Sequence, residues 1–222
     1  IIASIDGNFA PAAIAVFVAG LLDGMDGRLA RLTHTESEFG KQYDSLADMV
    51  AFGIAPAVIV YQWGLKALGE YGWAWGKLGW LAAFLYAVAA ALRLARFNVS
   101  SKTADRRFFE GLPSPSAAGL VSSMVWVAVG FGVDGLPALA VAMALTVLAG
   151  ALMVSRFAYW SFKGVSPRGR ISFAYVLIIP LIFVLIAIDP PRVCFILACT
   201  YASSGIVIAV WRRWRRQSGR TR

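Results

Sequence analysis

The chain alternates long apolar runs with short polar segments rich in glycine, proline and charge. Seven of the runs are long enough to cross a bilayer as α-helices. None shows the period of two expected of a membrane-barrel strand. We therefore predict an all-α, polytopic transmembrane helix bundle, with spans at residues 9–30, 43–63, 78–97, 115–131, 137–155, 171–188 and 192–211.

The polar segments between the runs are short, so the pattern predicts one integral-membrane domain over residues 1–211. A basic cytoplasmic tail is predicted to follow at residues 212–222. The sequence opens on Ile1, without an initiator methionine or a charged leader. We therefore expect the natural N-terminus, and one further helix, to precede this residue.

The composition agrees with a membrane protein and disfavours a soluble domain. Of the 222 residues, 59% are hydrophobic and only 15% are charged, whereas a soluble domain carries about 25% charged residues. The two cysteines, Cys194 and Cys199, lie in an apolar run without the spacing of a disulfide framework or a metal motif.

The net charge is +9, and its distribution predicts the orientation of the bundle. When the chain is threaded through the predicted spans, Lys66, Lys77 and Arg192 fall on one side, and the remaining 18 of the 21 Lys and Arg residues fall on the other. Because positive loops stay in the cytoplasm, the basic side is predicted to face it. Such clusters suit anionic lipid headgroups, so we expect membrane lipids and no nucleic acid as partners.

Four carboxylates interrupt this apolar pattern near the predicted cytoplasmic side. Asp23 and Asp26 are three residues apart, and Asp44 and Asp48 are four apart, so each pair shares one helix face. An ionisable group deep in a bilayer costs about 2.5–3.5 kcal/mol on insertion scales, and four of one sign would repel each other without cations between them. Carboxylate oxygens suit Mg²⁺ or Mn²⁺. We predict a site for two divalent ions.

The residues around the aspartates suit a bulky anionic ligand. Gly27 and Ala30 remove side-chain bulk, and Arg31 lies one turn past Asp26, where its guanidinium can hold a phosphate. Ser37 and Gly40 lie on the connecting turn, within reach of a nucleotide. The alternatives are that Arg31 anchors topology and that Ser37 and Gly40 are ordinary turn residues. The one histidine, His34, is interpreted as a solvated loop residue.

The aspartates and their spacing resemble a known signature. The residues Asp23-x-x-Asp26-Gly27-x-x-Ala30-Arg31, then eight residues, Gly40, three residues, Asp44, three residues and Asp48 match that of the CDP-alcohol phosphatidyltransferase family at every fixed position and gap. The resemblance implies a membrane enzyme that transfers a phosphatidyl or phospho-alcohol group from a CDP-linked donor to an alcohol and releases CMP. It implies that Asp23, Asp26 and Asp44 bind metal, and that Asp48 is the base and also lies close to the metal. Homodimers are common in the family, so a homodimer is expected.

Later segments indicate which alcohol accepts the group. Residues 93–98, 109–117 and 153–163 resemble the bacterial and archaeal phosphatidylserine synthase branch of this family. That resemblance implies CDP-diacylglycerol and L-serine as substrates and a bacterial or archaeal cytoplasmic membrane as the location. Arg93, Arg96 and Asn98 are then the candidate serine site; the alternative for Arg93 and Arg96 is that they only set the topology of the bundle. Residue chemistry alone leaves other acceptors open, because glycerol 3-phosphate would need the same cations; a phosphatidylglycerophosphate or phosphatidylinositol-type synthase remains the alternative.

A divalent-cation transporter is the alternative from another class, since intramembrane carboxylates can line an ion path. A transporter would be expected to carry acidic groups at mid-membrane and repeated elements. Here the acidic residues are confined to one pair of predicted helices near one face. The pattern therefore favours the enzyme.

Overall fold

The computed structural model describes residues 1–32, 37–100, 108–160 and 173–218. Nine α-helices account for most of these residues, and a π-helical segment, a 3₁₀ segment and two three-residue strands complete them. In chain order the elements are α1 (Ile2–Ile5), α2 (Phe9–Leu32), α3 (Glu38–Asp48), the π segment (Met49–Ile54), α4 (Ala55–Trp63), the 3₁₀ segment (Leu65–Tyr71), α5 (Trp73–Ser100), β1 (Phe108–Glu110), α6 (Ser114–Phe131), α7 (Leu136–Val154), β2 (Ala158–Trp160), α8 (Phe173–Ile188) and α9 (Pro190–Ser218).

The predicted all-α polytopic fold is confirmed. Within the described residues, six helical stretches are long and apolar enough to cross a membrane, and they correspond to six of the seven predicted spans. The predicted span at 171–188 corresponds to α8, whose 16 described residues are about 24 Å long. Its first two predicted residues lie outside the described part of the chain. The protein is therefore an integral membrane protein.

Local signals set the ends of several helices. The backbone N–H of Gly40 donates to Ser37 Oγ at 3.0 Å, which satisfies one free donor in the first turn of α3. Gly132 ends α6 in the left-handed conformation with φ of 57°, a position where glycine avoids the steric cost of a Cβ. Helix α9 continues to Ser218, so the backbone of the predicted basic tail begins as an extension of the last span.

Helix α6 lies at the centre of the bundle, and 61% of its residues are buried. It packs against α2, α4, α7 and α9. Small residues allow the helices to approach closely: Gly119 faces the Phe17 ring of α2, and a Cβ at Gly150 of α7 would lie 3.4 Å from the Tyr86 Cα of α5. Close approach at small residues is the usual packing mode of membrane helices.

A short antiparallel ladder joins the segments that follow α5 and α7. Strand β1 pairs with β2 in the register Phe109 to Tyr159. Beside it, the Gly111 N–H donates to the Phe157 carbonyl at 2.8 Å. Gly111 has φ of 78°, and a Cβ there would collide with the Met153 carbonyl. The ladder thus holds the end of α7 against the chain that leads into α6, at the same end of the bundle as the four aspartates.

Candidate active site

Three of the four aspartates converge between α2 and α3. Carboxylate oxygens of Asp23, Asp26 and Asp44 lie within 4.8 Å of one another, with Asp23 half-buried and the other two exposed. The i, i+3 spacing on α2 places its two carboxylates on one face. Helix α3 folds back beside α2 and supplies the third. This is the convergence that the sequence predicts.

Asp48 lies one turn after Asp44, at the last residue of α3. Its half-buried side chain is within hydrogen-bonding reach of the Asp23 carboxylate and also interacts electrostatically with Asp44. All four predicted carboxylates therefore belong to one acidic cluster. An all-oxygen donor set of this charge fits Mg²⁺ or Mn²⁺. Asp23, Asp26 and Asp44 supply the ligands that lie closest together.

The segment that follows Asp48, Met49–Ile54, is π-helical, a feature that the sequence analysis did not predict. Wider π turns shift the backbone register and are frequent at functional sites. The hydroxyl of Tyr86 on α5, fully buried, donates to the Phe52 carbonyl of this segment at 3.0 Å. The Phe52 ring packs against Gly20 of α2, where an added Cβ would lie 3.5 Å from it. Tyr86 and Gly20 thus fix the π segment, which begins directly after Asp48, against two helices.

Arg93 brings a buried positive charge to the acidic cluster. Only 8% of the residue is exposed, and its Nη1 donates to Ser114 Oγ at 2.8 Å. The positive charge of Arg93 interacts electrostatically with the Asp48 carboxylate. Its buried Nε has no hydrogen-bond partner within the described part of the chain. A buried cation with donor capacity remaining is suited to an anionic ligand.

Arg96, three residues further along α5, is engaged differently. Its Nη1 donates to the Val154 carbonyl at 3.1 Å, and its Nη2 donates to the carbonyls of Glu110 at 2.9 Å and Ser155 at 3.2 Å. These carbonyls belong to the end of α7, the residue after it, and β1. The guanidinium therefore joins three elements of the fold. This arrangement favours a structural role for Arg96, and its predicted contact with serine stays a prediction.

Asn98 lies at the edge of the same region. Its Nδ2 donates to Ser45 Oγ at 3.1 Å, which links α5 to α3 beside Asp44. The predicted contact of Asn98 with the acceptor stays a prediction. Its position next to the acidic cluster is compatible with that role.

Of the predicted nucleotide-binding residues, the structure describes the side-chain environment of Ser37 and Gly40 only. Ser37 caps α3 and Gly40 supplies the capped N–H; a Cβ at Gly40 would lie 3.1 Å from Ser37 Oγ. The last turns of α2 contain the backbone of Gly27, Ala30 and Arg31, whose side chains lie outside the described part of the structure. His34 also lies outside the described residues. At Gly24, between Asp23 and Asp26, an added Cβ would meet no atom of the described residues within 4 Å.

The sequence did not single out the partners that hold these groups. Ser114 lies inside a segment noted for its resemblance, but nothing in the sequence connects it to Arg93. Tyr86 is seven residues before Arg93, on the same face of α5, and this spacing is the signal that could have found it. Tyr201 of α9, which interacts electrostatically with Arg93, was missed because the last span carries no recognisable motif.

Comparison with known proteins agrees with the geometry. A model of the CDP-alcohol phosphatidyltransferase family matches residues 1–155. The CDP-diacylglycerol–serine O-phosphatidyltransferase of Helicobacter pylori is 38% identical over 177 residues, which cover 80% of this chain and 72% of the relative. Proteins of the same name are 42% identical over 127 residues in Mycobacterium leprae (54% of this chain, 40% of the relative) and 29% identical over 192 residues in Methanocaldococcus jannaschii (86% and 81%). The chain belongs to the CDP-alcohol phosphatidyltransferase family.

Proposed function

We propose that the protein transfers the phosphatidyl group of CDP-diacylglycerol to the hydroxyl of L-serine, giving phosphatidylserine and CMP. The observation that carries this proposal is the acidic cluster of α2 and α3 with the buried Arg93 beside it. The family supplies the reaction class, and relatives from bacteria and an archaeon that are named for serine transfer support the acceptor.

Asp23, Asp26 and Asp44 would hold two divalent ions, Mg²⁺ or Mn²⁺, with Asp48 close to them. When bound, the ions offset the charge of the carboxylates and stabilise negative charge on the phosphate oxygens of the donor. Gly27, Ala30, Arg31, Ser37 and Gly40 are proposed to bind the CDP portion. Among the described residues, nothing lies within 4 Å of a Cβ placed at Gly24, which supports room for this ligand.

The acceptor enters beside Arg93, whose guanidinium pairs with the serine carboxylate. Asp48 takes the proton of the serine hydroxyl. In the net reaction the serine oxygen forms a bond to the phosphatidyl phosphorus, and the bond from that phosphorus to the CMP oxygen breaks. CMP leaves with the electron pair. Asp48 then returns its proton to solvent, so the enzyme is regenerated.

The orientation follows from charge. The end of the bundle that carries the aspartates is also the side of the basic residues, so we propose that the site opens to the cytoplasm of a bacterial or archaeal cell. A homodimer is proposed from the family resemblance; mass measurement in a native-like lipid particle tests it. Neither the proposed orientation nor the proposed homodimer is needed for the proposed chemistry of the site.

The proposal is tested by adding one acceptor at a time to the purified protein with CDP-diacylglycerol and Mg²⁺ or Mn²⁺. CMP release is measured with L-serine, glycerol 3-phosphate and inositol. We expect turnover with serine and, at matched concentrations, background release with the other two. Turnover with glycerol 3-phosphate and none with serine would contradict the proposed acceptor and leave the family assignment in place.

The family match argues against the divalent-cation transporter that the sequence left as an alternative. Donor binding separates the two, because a transporter has no reason to recognise CMP. We expect CMP to bind in a manner that depends on the divalent ion. Ion uptake into vesicles that contain the purified protein, without any CMP binding, would favour the transporter.

A further inference from the structure

Helix α3 carries two of the four aspartates of the acidic cluster, yet little of it is buried. Among its described side chains, only those of Ser45 and Asp48 are not exposed. Within the described part of the chain, its most extensive packing is against the π segment that continues it. An element with few buried contacts opens locally at a low cost in free energy. The position of Asp44 relative to the aspartates of α2 therefore depends on what holds α3 from the side.

A side-chain hydrogen bond links α3 to α5 at this point. The Asn98 Nδ2 donates to the Ser45 Oγ at 3.1 Å, and the same Oγ lies 3.5 Å from the Asn98 Oδ1. Ser45 directly follows Asp44 in the chain. Both groups of the bond are neutral, so it holds α3 without placing a further charge beside the carboxylates.

The α5 side of this bond is firmly held. Arg96, two residues before Asn98, donates to three backbone carbonyls, which belong to β1, to the last residue of α7 and to the residue after it. These bonds join the end of α5 to two other elements of the bundle. Asn98 is therefore a fixed point, and Ser45 is attached to it.

The acidic cluster itself opposes the position of α3. Carboxylate oxygens of Asp23, Asp26 and Asp44 lie within 4.8 Å of one another, and like charges at that separation repel. Before a divalent ion binds, the repulsion favours movement of α3 away from α2. A bond that holds α3 beside α5 opposes that movement, so less free energy is spent on assembling the site when the ion arrives.

We propose that Asn98 and Ser45 are positioning residues, whose hydrogen bond holds α3 where the Asp44 carboxylate meets those of α2 and so prepares the site for divalent metal. The inference rests on the proposed function, which assigns the ions to this cluster. It gives Asn98 a role that acts through Asp44 and is distinct from the predicted contact with the acceptor. Since Mg²⁺ requires nearly ideal octahedral ligand positions, a small displacement of α3 is expected to weaken metal binding.

The first test is Ser45→Ala, which removes the hydroxyl and leaves all four aspartates. Mn²⁺ is titrated into the purified, metal-free protein without substrates, and free Mn²⁺ is measured by electron paramagnetic resonance. Loss of one neutral hydrogen bond is expected to raise the dissociation constant about 3- to 10-fold. Ser45→Thr keeps the hydroxyl and is expected to bind Mn²⁺ as the wild type does. An unchanged Mn²⁺ affinity in Ser45→Ala would overturn the inference.

Asn98→Ala separates positioning from contact with the acceptor. We expect the same loss of Mn²⁺ affinity as in Ser45→Ala, and no further loss in the double variant, because each change removes the same bond. At saturating metal the KM for serine should equal that of the wild type. A higher serine KM with wild-type Mn²⁺ affinity, or losses that add in the double variant, would overturn the inference. If Asn98→Ala does not fold, the Mn²⁺ affinity of Ser45→Ala decides alone.

Ser204→Ala is the matched control. The half-buried Ser204 lies on α9, where its hydroxyl donates to the Tyr201 carbonyl of the same helix at 2.7 Å. The same chemical change there should leave Mn²⁺ affinity unaltered, and a loss equal to that of Ser45→Ala would overturn the inference. If the acceptor is not serine, the Mn²⁺ titration still gives its answer, and only the proposed acceptor fails. Absence of Mn²⁺ binding by the wild type would overturn both the proposed metal centre and this inference.

Discussion

The Arg93 guanidinium donates to the hydroxyl of Ser114 at 2.8 Å, and this bond joins α5 to the first residue of α6. Both side chains are buried, so solvent does not compete for the bond. Ser114 therefore fixes one nitrogen of the guanidinium, while the buried Nε has no partner among the described residues. The arginine is held in place before any ligand arrives, which reduces the entropy lost on binding.

Arg93→Lys should weaken acceptor binding selectively. Lysine keeps the charge but lacks the planar fork that meets a carboxylate with two nitrogens. We expect the KM for serine to rise at least about tenfold, with little change for CDP-diacylglycerol. Ser114→Ala keeps the arginine and removes only its support, so a smaller increase is expected. Equal KM values for serine in wild type and Arg93→Lys would show that Arg93 does not bind the acceptor.

Arg96→Lys should act on stability more than on substrate binding. The guanidinium donates to carbonyls of α7, Ser155 and β1, and an ammonium cannot reproduce that geometry. We expect a loss of about 1.5–3 kcal/mol in the free energy of unfolding, seen as a lower unfolding temperature in detergent. The serine KM of the folded fraction should stay within about threefold. A stable variant with a much higher serine KM would restore the predicted serine-binding role of Arg96.

Tyr86→Phe tests the link between the π segment and catalysis. The substitution removes the hydroxyl that donates to the Phe52 carbonyl and leaves that buried carbonyl unsatisfied. We expect a cost of about 1–3 kcal/mol in stability. We also expect a lower kcat with near-constant KM values, because the segment determines where Asp48 lies. An unchanged kcat alongside reduced stability would limit Tyr86 to a structural role.

Replacing Asp23, Asp26 or Asp44 with Asn should disable the metal centre. Each change preserves shape but removes a charge that a divalent ion needs. Turnover is expected to fall by about two orders of magnitude or more, with partial recovery at high Mg²⁺ or Mn²⁺. Asp134→Asn, outside the cluster, is the control. A variant with near wild-type turnover at low metal would remove that aspartate from the ligand set.

Asp48→Asn tests whether Asp48 acts as the general base or as a metal ligand. General-base help is typically worth 10²–10⁴-fold, so transfer should fall by about that factor. The affinity for CDP-diacylglycerol should change little, because the three closest carboxylates remain. Donor binding measured by displacement of labelled CMP provides the comparison. Loss of donor and metal binding together would identify Asp48 as chiefly a metal ligand, and His34 would become the next candidate for the base.

The sequence predicted the architecture because membrane spans follow from the length of apolar runs. The span predicted at 115–131 corresponds to α6 at Ser114–Phe131, and the span at 137–155 to α7 at Leu136–Val154. The convergence of the aspartates was also predictable, since helical spacing and a short connection bring the two pairs together. These are local properties of the chain.

The features that the sequence could not supply depend on tertiary contacts. The π segment after Asp48 has no local signature, and its partner Tyr86 is 34 residues away from Phe52. The different environments of Arg93 and Arg96 could not be predicted either, because in the sequence both are arginines near the same end of one helix. Only the packing of α6 and α7 against α5 shows that one meets Ser114 and the other meets backbone carbonyls.

The most direct test of the central claim is the fate of isotope-labelled serine. Purified protein in vesicles that contain CDP-diacylglycerol is supplied with ¹³C-labelled L-serine and divalent metal, and the lipids are analysed by mass spectrometry while CMP is quantified. The account predicts labelled phosphatidylserine and CMP in equal amounts, with both lost in Asp48→Asn. Release of CMP without label in the lipid, or with glycerol 3-phosphate as the required acceptor, would contradict it.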